Sequence, residues 1–403
     1  MIDTGVTAFM LVSSALVLLM TPGLAFFYGG FGDRRNVISI MKQNLVSMGI
    51  TTMLWFAIGY SLSFSGDVLG LIGNLDKAFL NNVPLNALLD GTGIPEYVFF
   101  IFQLTFAIIT PSLITGAIIN RMSFKAYLVF LILWQIFVYY PFAHMVWGGG
   151  LLHSMGVMDF AGGIVVHPLA GMTALACVFF IGNRQKKKVR PHNRPMIALG
   201  GALLWFGWFG FNAGSALAVD SITSLAFVNT QIAASFGSIV WMLLEWKKEG
   251  KPKVVGFLTG AIAGLVAITP AAGFVSVGSA AIIGSIASMV CLWAVELKNK
   301  LGWDDALDVW GVHGVGGMVG SIAVGVFASS ALNPSISNGL IFGNVQFFGI
   351  QVFGVVVACV YSFASTWILL KGISLFTNVK VSKEEEELGL DLAHHREQAY
   401  SFR

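Results

Sequence analysis

Gly163-Ile-Val-Val-His-Pro-Leu-Ala-Gly171 and Trp310-Gly-Val-His-Gly-Val-Gly-Gly317 each hold one histidine, His167 and His313, inside a stretch apolar enough to span a bilayer. Imidazole is costly at membrane depth. Polar groups there face a protein interior or a water cavity and usually mark a path for ions, protons or substrate. The two stretches share a His-x-x-x-Gly-Met pattern, from His167 to Met172 and from His313 to Met318, and recur 146 residues apart. That repeat reads as one device built twice and facing itself. The blander reading is a pair of satisfied core histidines.

The surrounding chain supports a membrane setting. Of its 403 residues, 56% are hydrophobic and only 11% charged, where a soluble domain carries about 25% charged residues. Apolar segments fall at roughly 6–28, 44–65, 97–119, 126–147, 161–182, 196–217, 224–246, 254–272, 278–297, 307–329 and 342–376, many near the roughly 20 residues a spanning helix needs. The pattern predicts an all-α integral membrane protein with eleven transmembrane helices, the last long enough to be tilted or to hide a re-entrant piece. Met1-Ile-Asp-Thr-Gly lacks a basic leader, so the first apolar run is expected to stay as a span.

Lys and Arg orient the set. They follow spans one, three, five, seven and nine and the C-terminal end, and of the 23 only Lys77 lies on the other side. The N-terminus is therefore expected outside and the C-terminus inside. Ile109-Thr-Pro in span three echoes Ile268-Thr-Pro in span eight. Because five is odd, two halves of five spans run in opposite directions, the inverted repeat common in transporters. We expect a transmembrane domain over residues 1–376, with halves at roughly 1–182 and 196–329 and a last helix at 342–376, and a cytoplasmic tail over 377–403.

Asp159 precedes His167 by eight residues, about 12 Å of helix, and Asp308 precedes His313 by five, about 8 Å. Both rings are then expected near the midplane, approaching from opposite faces, where a shared hydrogen bond would set complementary tautomers. Cys177, Cys291 and Cys359 lie in apolar segments without metal spacing and read as small hydrophobes. The chain shows no carboxylate cage or carbonyl-rich filter for a metal ion and no nucleophile or phosphate-loop motif, so neither a metal-ion channel nor an enzyme is expected. The pore candidates are aromatic: Phe102, Phe106, Trp147 and Phe211. Ring faces attract a small cation by about 0.5–2 kcal/mol, while a neutral bore rejects hydrated ions. A solute charged outside that crosses uncharged satisfies both, as small amines with pKa values of roughly 8–10 do.

The chain resembles the ammonium transporter (Amt/MEP/Rh) family over essentially its full length. The resemblance rests on Gln103-Leu-Thr-Phe-Ala-Ile-Ile-Thr-Pro111, Ala143-His-Met-Val-Trp147-Gly-Gly-Gly, Asp159-Phe-Ala-Gly-Gly-Ile-Val-Val-His167, Trp208-Phe-Gly-Phe-Asn-Ala-Gly-Ser215 and Asp308-Val-Trp-Gly-Val-His313-Gly. It implies ammonium transport across the cell membrane by a homotrimer with one pore per subunit, without cofactor, metal or nucleic acid, and with methylammonium as a possible second substrate. It implies an outer ammonium site at Phe106, Trp147 and Ser215 with Phe102 beside them, and a gate of Phe106 and Phe211. His167 and His313 become a proton-relaying pair, and Asp159 a buried carboxylate supporting the recruitment site. By its position Asp159 also reads as a helix N-cap on span five, with a part in proton handling as a further role. The tail, Gly389 to Tyr400, is similar to the family's regulatory tail and implies a PII-type regulator. Arg396 stands where glycine is usual, and Lys383-Glu-Glu-Glu-Glu387 reads as a solvated hinge. The rivals are an Rh-type channel passing ammonia or carbon dioxide without current, and an ammonium sensor signalling through the tail.

Overall fold

Backbone groups in hydrocarbon must pair internally, which leaves helices as the solution for apolar runs of this length. The computed structural model describes residues 1–89, 91–185 and 191–401, where eleven long helices form and no strand beyond isolated bridges is present. Lys186, Lys187, Lys188, Arg190 and Arg403, used above to orient the chain, lie outside the described residues. The helices are α1 (Thr4–Phe31), α2 (Val37–Phe64), α3 (Glu96–Ile118), α4 (Phe124–Ser154), α5 (His167–Ile181), α6 (Arg194–Gly214), α7 (Ser221–Glu249), α8 (Val254–Ile268), α9 (Val277–Leu301), α10 (Trp310–Phe327) and α11 (Val345–Ser374).

Nine of these are long and apolar enough to cross a membrane. The other two, α5 and α8, have 15 residues each, about 22 Å against a hydrocarbon core of about 30 Å. The apolar runs at 161–182 and 254–272 are therefore only partly helical. Residues 161–166 before α5 and 269–275 after α8 are irregular and buried throughout, as backbone without helical bonds must be at that depth. By contrast α11 is one helix of 30 residues, so the last apolar run contains no re-entrant piece.

The most extensive packing joins α1 to α6, and α5 crosses the start of α10. Both contacts pair a helix from residues 1–182 with one from 194–327. The α5–α10 crossing explains two motif glycines. A Cβ on Gly171 would lie 2.2 Å from the Gly314 Cα, and one on Gly317 would lie 2.8 Å from the His167 Cβ. Small residues let backbones approach where lipid supplies no apolar drive; here they bring the two histidine-bearing segments together.

Beyond α11 the tail returns along one end of the bundle. Residues 383–387 are solvated, as expected, but form most of a short helix, α12 (Lys383–Leu388), and not a hinge; a Ser382–Glu385 capping box starts it. The Asp391 carboxylate accepts from Ile38 N at 3.1 Å and Ser39 N at 2.8 Å. It thereby caps α2, whose own N-cap residue, Asn36, makes no side-chain cap bond. Burial raises the Asp391 carboxyl above its ordinary range, and these backbone bonds partly oppose that. Lys42 Nζ donates to His395 Nδ1 at 3.3 Å, and the same ring meets Phe124 edge-on at 4.9 Å. Burial first, then Lys42 and His394, hold His395 below its usual value, which suits a neutral ring accepting that bond. Tyr400 Oη joins His192 Nε2 at 2.9 Å.

Arg396 occupies the left-handed region at φ 55° and ψ 32°. The geometry that glycine would supply freely is thus adopted with a Cβ present, at about 1–2 kcal/mol. Arg396→Gly is expected to tighten the docked tail by about 1 kcal/mol, seen as slower amide exchange over residues 389–400.

Candidate functional site

The Asp159 carboxylate organises the irregular turn before α5. Its Oδ1 accepts from Gly162 N at 2.8 Å and Gly163 N at 2.7 Å, and its Oδ2 from Ile164 N at 2.7 Å and Val165 N at 3.0 Å. Four donors that no helix satisfies are paired by one side chain, which is why the chain can be irregular here without stranding polar groups. The interval from Asp159 to His167 is therefore a turn and not 12 Å of helix. His167 is the first residue of α5 and Pro168 the second, where a missing N–H costs nothing.

The counterpart of Asp159 in the second half is Asp305. Asp305 is 1% exposed and accepts from Val309 N at 3.1 Å and Trp310 N at 2.8 Å. It stands eight residues before His313, the spacing of Asp159 to His167. Asp308 instead pairs with Lys298 at 2.6 Å and is a third exposed. Its φ of 59° turns the chain into α10.

His167 and His313 meet. Their Nδ1 atoms are 3.3 Å apart and the rings lie 5.4 Å apart at 26°. A bond between like nitrogens needs one donor and one acceptor, so the two imidazoles hold opposite Nδ1 protonation. His167 Nε2 is buried with no hydrogen-bond partner. Trp208, which the sequence reading passed over, stacks on His167 at 5.6 Å and donates Nε1–H to Thr269 Oγ1 at 2.9 Å. Its signal was available: it sits three residues before Phe211, on the same helix face.

A vestibule of about 380 Å³ opens at one end of the bundle and is lined by Phe102, Phe106, Trp147 and Ser215 together with Asp159. Phe106 meets Trp147 edge-to-face at 5.8 Å and Phe102 at 5.0 Å. Trp147 is fixed by its Nε1–H donating to Asp159 O at 3.0 Å. Ser215 donates its hydroxyl to Phe211 O at 2.8 Å, which leaves the oxygen lone pairs free to accept. At the base of the vestibule Phe106 and Phe211 lie 4.4 Å apart at 42° and are both 1% exposed. Phe211 then faces His167 at 6.1 Å. The space around the two histidines, walled by Leu24, Ile109, Leu113 and Leu204, holds about 10 Å³, at or below the roughly 10–15 Å³ that admits one water.

At the tail end a second cavity of about 430 Å³ is bordered by Arg184, Lys298, Asp304, Asp305 and Asp308. Asp304 Oδ1 takes Arg184 Nη2 at 2.6 Å, and Arg121 Nη1 lies 3.4 Å from its other oxygen. Burial pushes this carboxyl up, but the Arg184 hydrogen bond and the two guanidinium charges outweigh it and hold it at about 2. A depressed carboxylate pKa means the stabilisation is complete above the ordinary value and drains as pH falls toward 2. Among the described residues no cluster of His, Cys, Asp or Glu has the geometry to hold a metal.

The model of the Ammonium Transporter Family matches residues 8–400. A putative ammonium transporter of Methanothermobacter thermautotrophicus is 47% identical over 99% of both chains. An ammonium transporter of Aquifex aeolicus is 46% identical over 100% of this chain and 94% of its own. Among solved structures, Mep2 of Candida albicans superposes with a TM-score of 0.88 at 34% identity, over 95% of this chain and 88% of that one.

Proposed function

Because the chain belongs to the ammonium transporter family, a family of multi-pass membrane transporters, we propose that it carries ammonium across the cell membrane through the path just described. The observation that carries this reading is the order of the parts: an aromatic vestibule, a closed phenyl pair, then two bonded histidines in a bore with no room for a hydration shell. Ammonium binds at the outer mouth against Phe102, Phe106 and Trp147, and donates to the free lone pairs of Ser215. Moving the bare cation further costs about 3 to over 10 kcal/mol. The cation therefore gives up its proton, and ammonia passes Phe106 and Phe211. His167 and His313 relay the proton, with His167 Nε2 as the unoccupied position in the relay.

In this reading all eleven helices span, α5 and α8 with their buried turns included. The N-terminus is outside and the tail inside. Residues 1–376 form the transport domain, halves 1–182 and 196–329 an inverted repeat, and 377–403 a regulatory tail. Support for the repeat comes from the α1–α6 and α5–α10 contacts and from the equal Asp159–His167 and Asp305–His313 spacings. Three copies form a trimer, and a PII-type protein regulates from the cytoplasmic side.

Purified protein in proteoliposomes is expected to give an ammonium-evoked current. Ammonia flux without current would favour the Rh-type channel, and neither flux nor current would favour the sensor. Trp147→Leu removes the widest ring face, so half-saturation is expected to rise roughly 2- to 30-fold, the equivalent of about 0.5–2 kcal/mol. An unchanged concentration dependence removes the recruitment site. Deleting residues 377–403 is expected to keep the current and abolish block by a PII-type regulator; loss of current from folded protein would show that the tail, through its Asp391 cap on α2, holds the pore itself.

A further inference from the structure

His144 lies three residues before Trp147 on α4, is fully buried, and has no part in the path above. Its Nδ1 is 3.2 Å from the Ser63 carbonyl oxygen and its Nε2 is 2.9 Å from Asp67 Oδ1. Both neighbours only accept hydrogen bonds. A neutral imidazole has a single N–H, so the doubly protonated ring is the form that satisfies both contacts.

The two ends of this clamp are themselves fixed. Asp67 Oδ1 also accepts from Gly70 N at 2.9 Å, and Gly70 O accepts from Leu151 N at 2.7 Å. On the other side the turn that follows Trp147 closes on the ring. Gly148 N and Gly150 N both donate to His144 O, at 3.0 and 3.1 Å. A Cβ on Gly148 would lie 2.7 Å from the His144 Nδ1, and one on Gly150 would lie 3.0 Å from its Cδ2. Residues 65–74, His144 and the Gly148–Gly150 turn are thus one bonded unit, and Trp147 hangs from it with Asp159 O as its other anchor. Asp67 is the charged group that faces the ring. Tyr140 lies one turn earlier on α4, and Asp159 lies beyond the indole.

We propose that His144 is a positioning residue for the ammonium recruitment site: clamped between Ser63 O and Asp67, it sets the Gly148–Gly150 turn and with it the Trp147 face that the cation meets. The inference rests on the reading of Trp147 as a recruitment residue. It follows that removing either clamp bond loosens the turn and weakens ammonium binding. A loosened turn raises half-saturation and leaves maximal current nearly unchanged, whereas a general loss of structure lowers the current as well.

The test measures ammonium-evoked current in proteoliposomes of wild type, His144→Gln, Asp67→Ala and Trp147→Leu. Half-saturation and maximal current are read separately. His144→Gln and Asp67→Ala are expected to raise half-saturation about fivefold, the effect of one hydrogen bond, with maximal current nearly constant and faster amide exchange over residues 148–155. Asp67 is 54% exposed, so its variant carries the test if His144→Gln does not fold. If Trp147→Leu weakens binding while both clamp variants keep wild-type half-saturation, positioning by His144 is overturned alone. An unaltered Trp147→Leu overturns the recruitment reading and this inference with it. Clamp variants that lower maximal current while half-saturation stays at the wild-type value overturn the positioning role as well.

Discussion

His167→Ala and His313→Ala are each expected to eliminate ammonium-evoked current from protein that remains folded. The two Nδ1 atoms are 3.3 Å apart, so each ring is the other's hydrogen-bond partner, and a relay along them needs both nitrogens of both imidazoles. Alanine removes a ring that can gain a proton at one nitrogen and lose it from the other. It also widens a bore of about 10 Å³, and a wider bore does not replace the lost relay. The vestibule should be untouched, since neither histidine lines it, and ammonium binding to the variants, measured by titration calorimetry, is expected to match wild type. A pair that serves packing alone predicts the reverse. Losing one partner would strand a buried nitrogen at about 1–3 kcal/mol, lowering thermal stability while the surviving protein conducts normally. Wild-type current in either variant would remove the relay from the mechanism.

The histidine pair was legible because each ring is a polar exception inside an apolar run, and the 146-residue recurrence pointed each at the other. Their aspartates were only half legible. Asp304, Asp305 and Asp308 lie within five residues, and hydropathy does not say which one turns inward. Asp308, which served to gauge the depth of His313, is left-handed and swings toward Lys298. The eight-residue spacing from Asp159 to His167, repeated from Asp305 to His313, was the signal that would have selected Asp305. Hydropathy also cannot separate a helix from a buried turn of the same composition, so α5 and α8 were expected too long; Gly162, Gly163 and Pro270 marked those turns. The tail shows the same limit. Four consecutive glutamates suggested a solvated hinge; the stretch is solvated, but Ser382 with Glu385 three residues later is a capping box, and a helix formed. Arg396 runs the other way: its residue type argues against a left-handed turn, and the docked tail imposes one.

Asp159→Ala is expected to cost more stability than Asp305→Ala, although the two residues occupy matching places. Removing the Asp159 carboxylate leaves the N–H groups of Gly162, Gly163, Ile164 and Val165 without an acceptor. Residues 161–166 are buried, so no solvent replaces it. At about 1–3 kcal/mol for each stranded donor, the loss rivals the roughly 5–15 kcal/mol that holds a domain folded. Asp305→Ala strands two donors, Val309 N and Trp310 N, while the Lys298 contact is to the Asp305 carbonyl and survives. Asp159→Ala should therefore fail to yield folded protein or melt far below Asp305→Ala, as measured by thermal unfolding in detergent. Asp159→Asn keeps the volume and one acceptor oxygen, but turns an amide N–H₂ toward two of the four donors, so it should fall between wild type and alanine. That intermediate variant also isolates charge. If it folds and loses its current, the carboxylate acts on the proton as well as on the turn; if it folds and conducts, the cap is its whole role. An Asp159→Ala protein as stable as Asp305→Ala would mean that the turn before His167 is held by something other than this carboxylate.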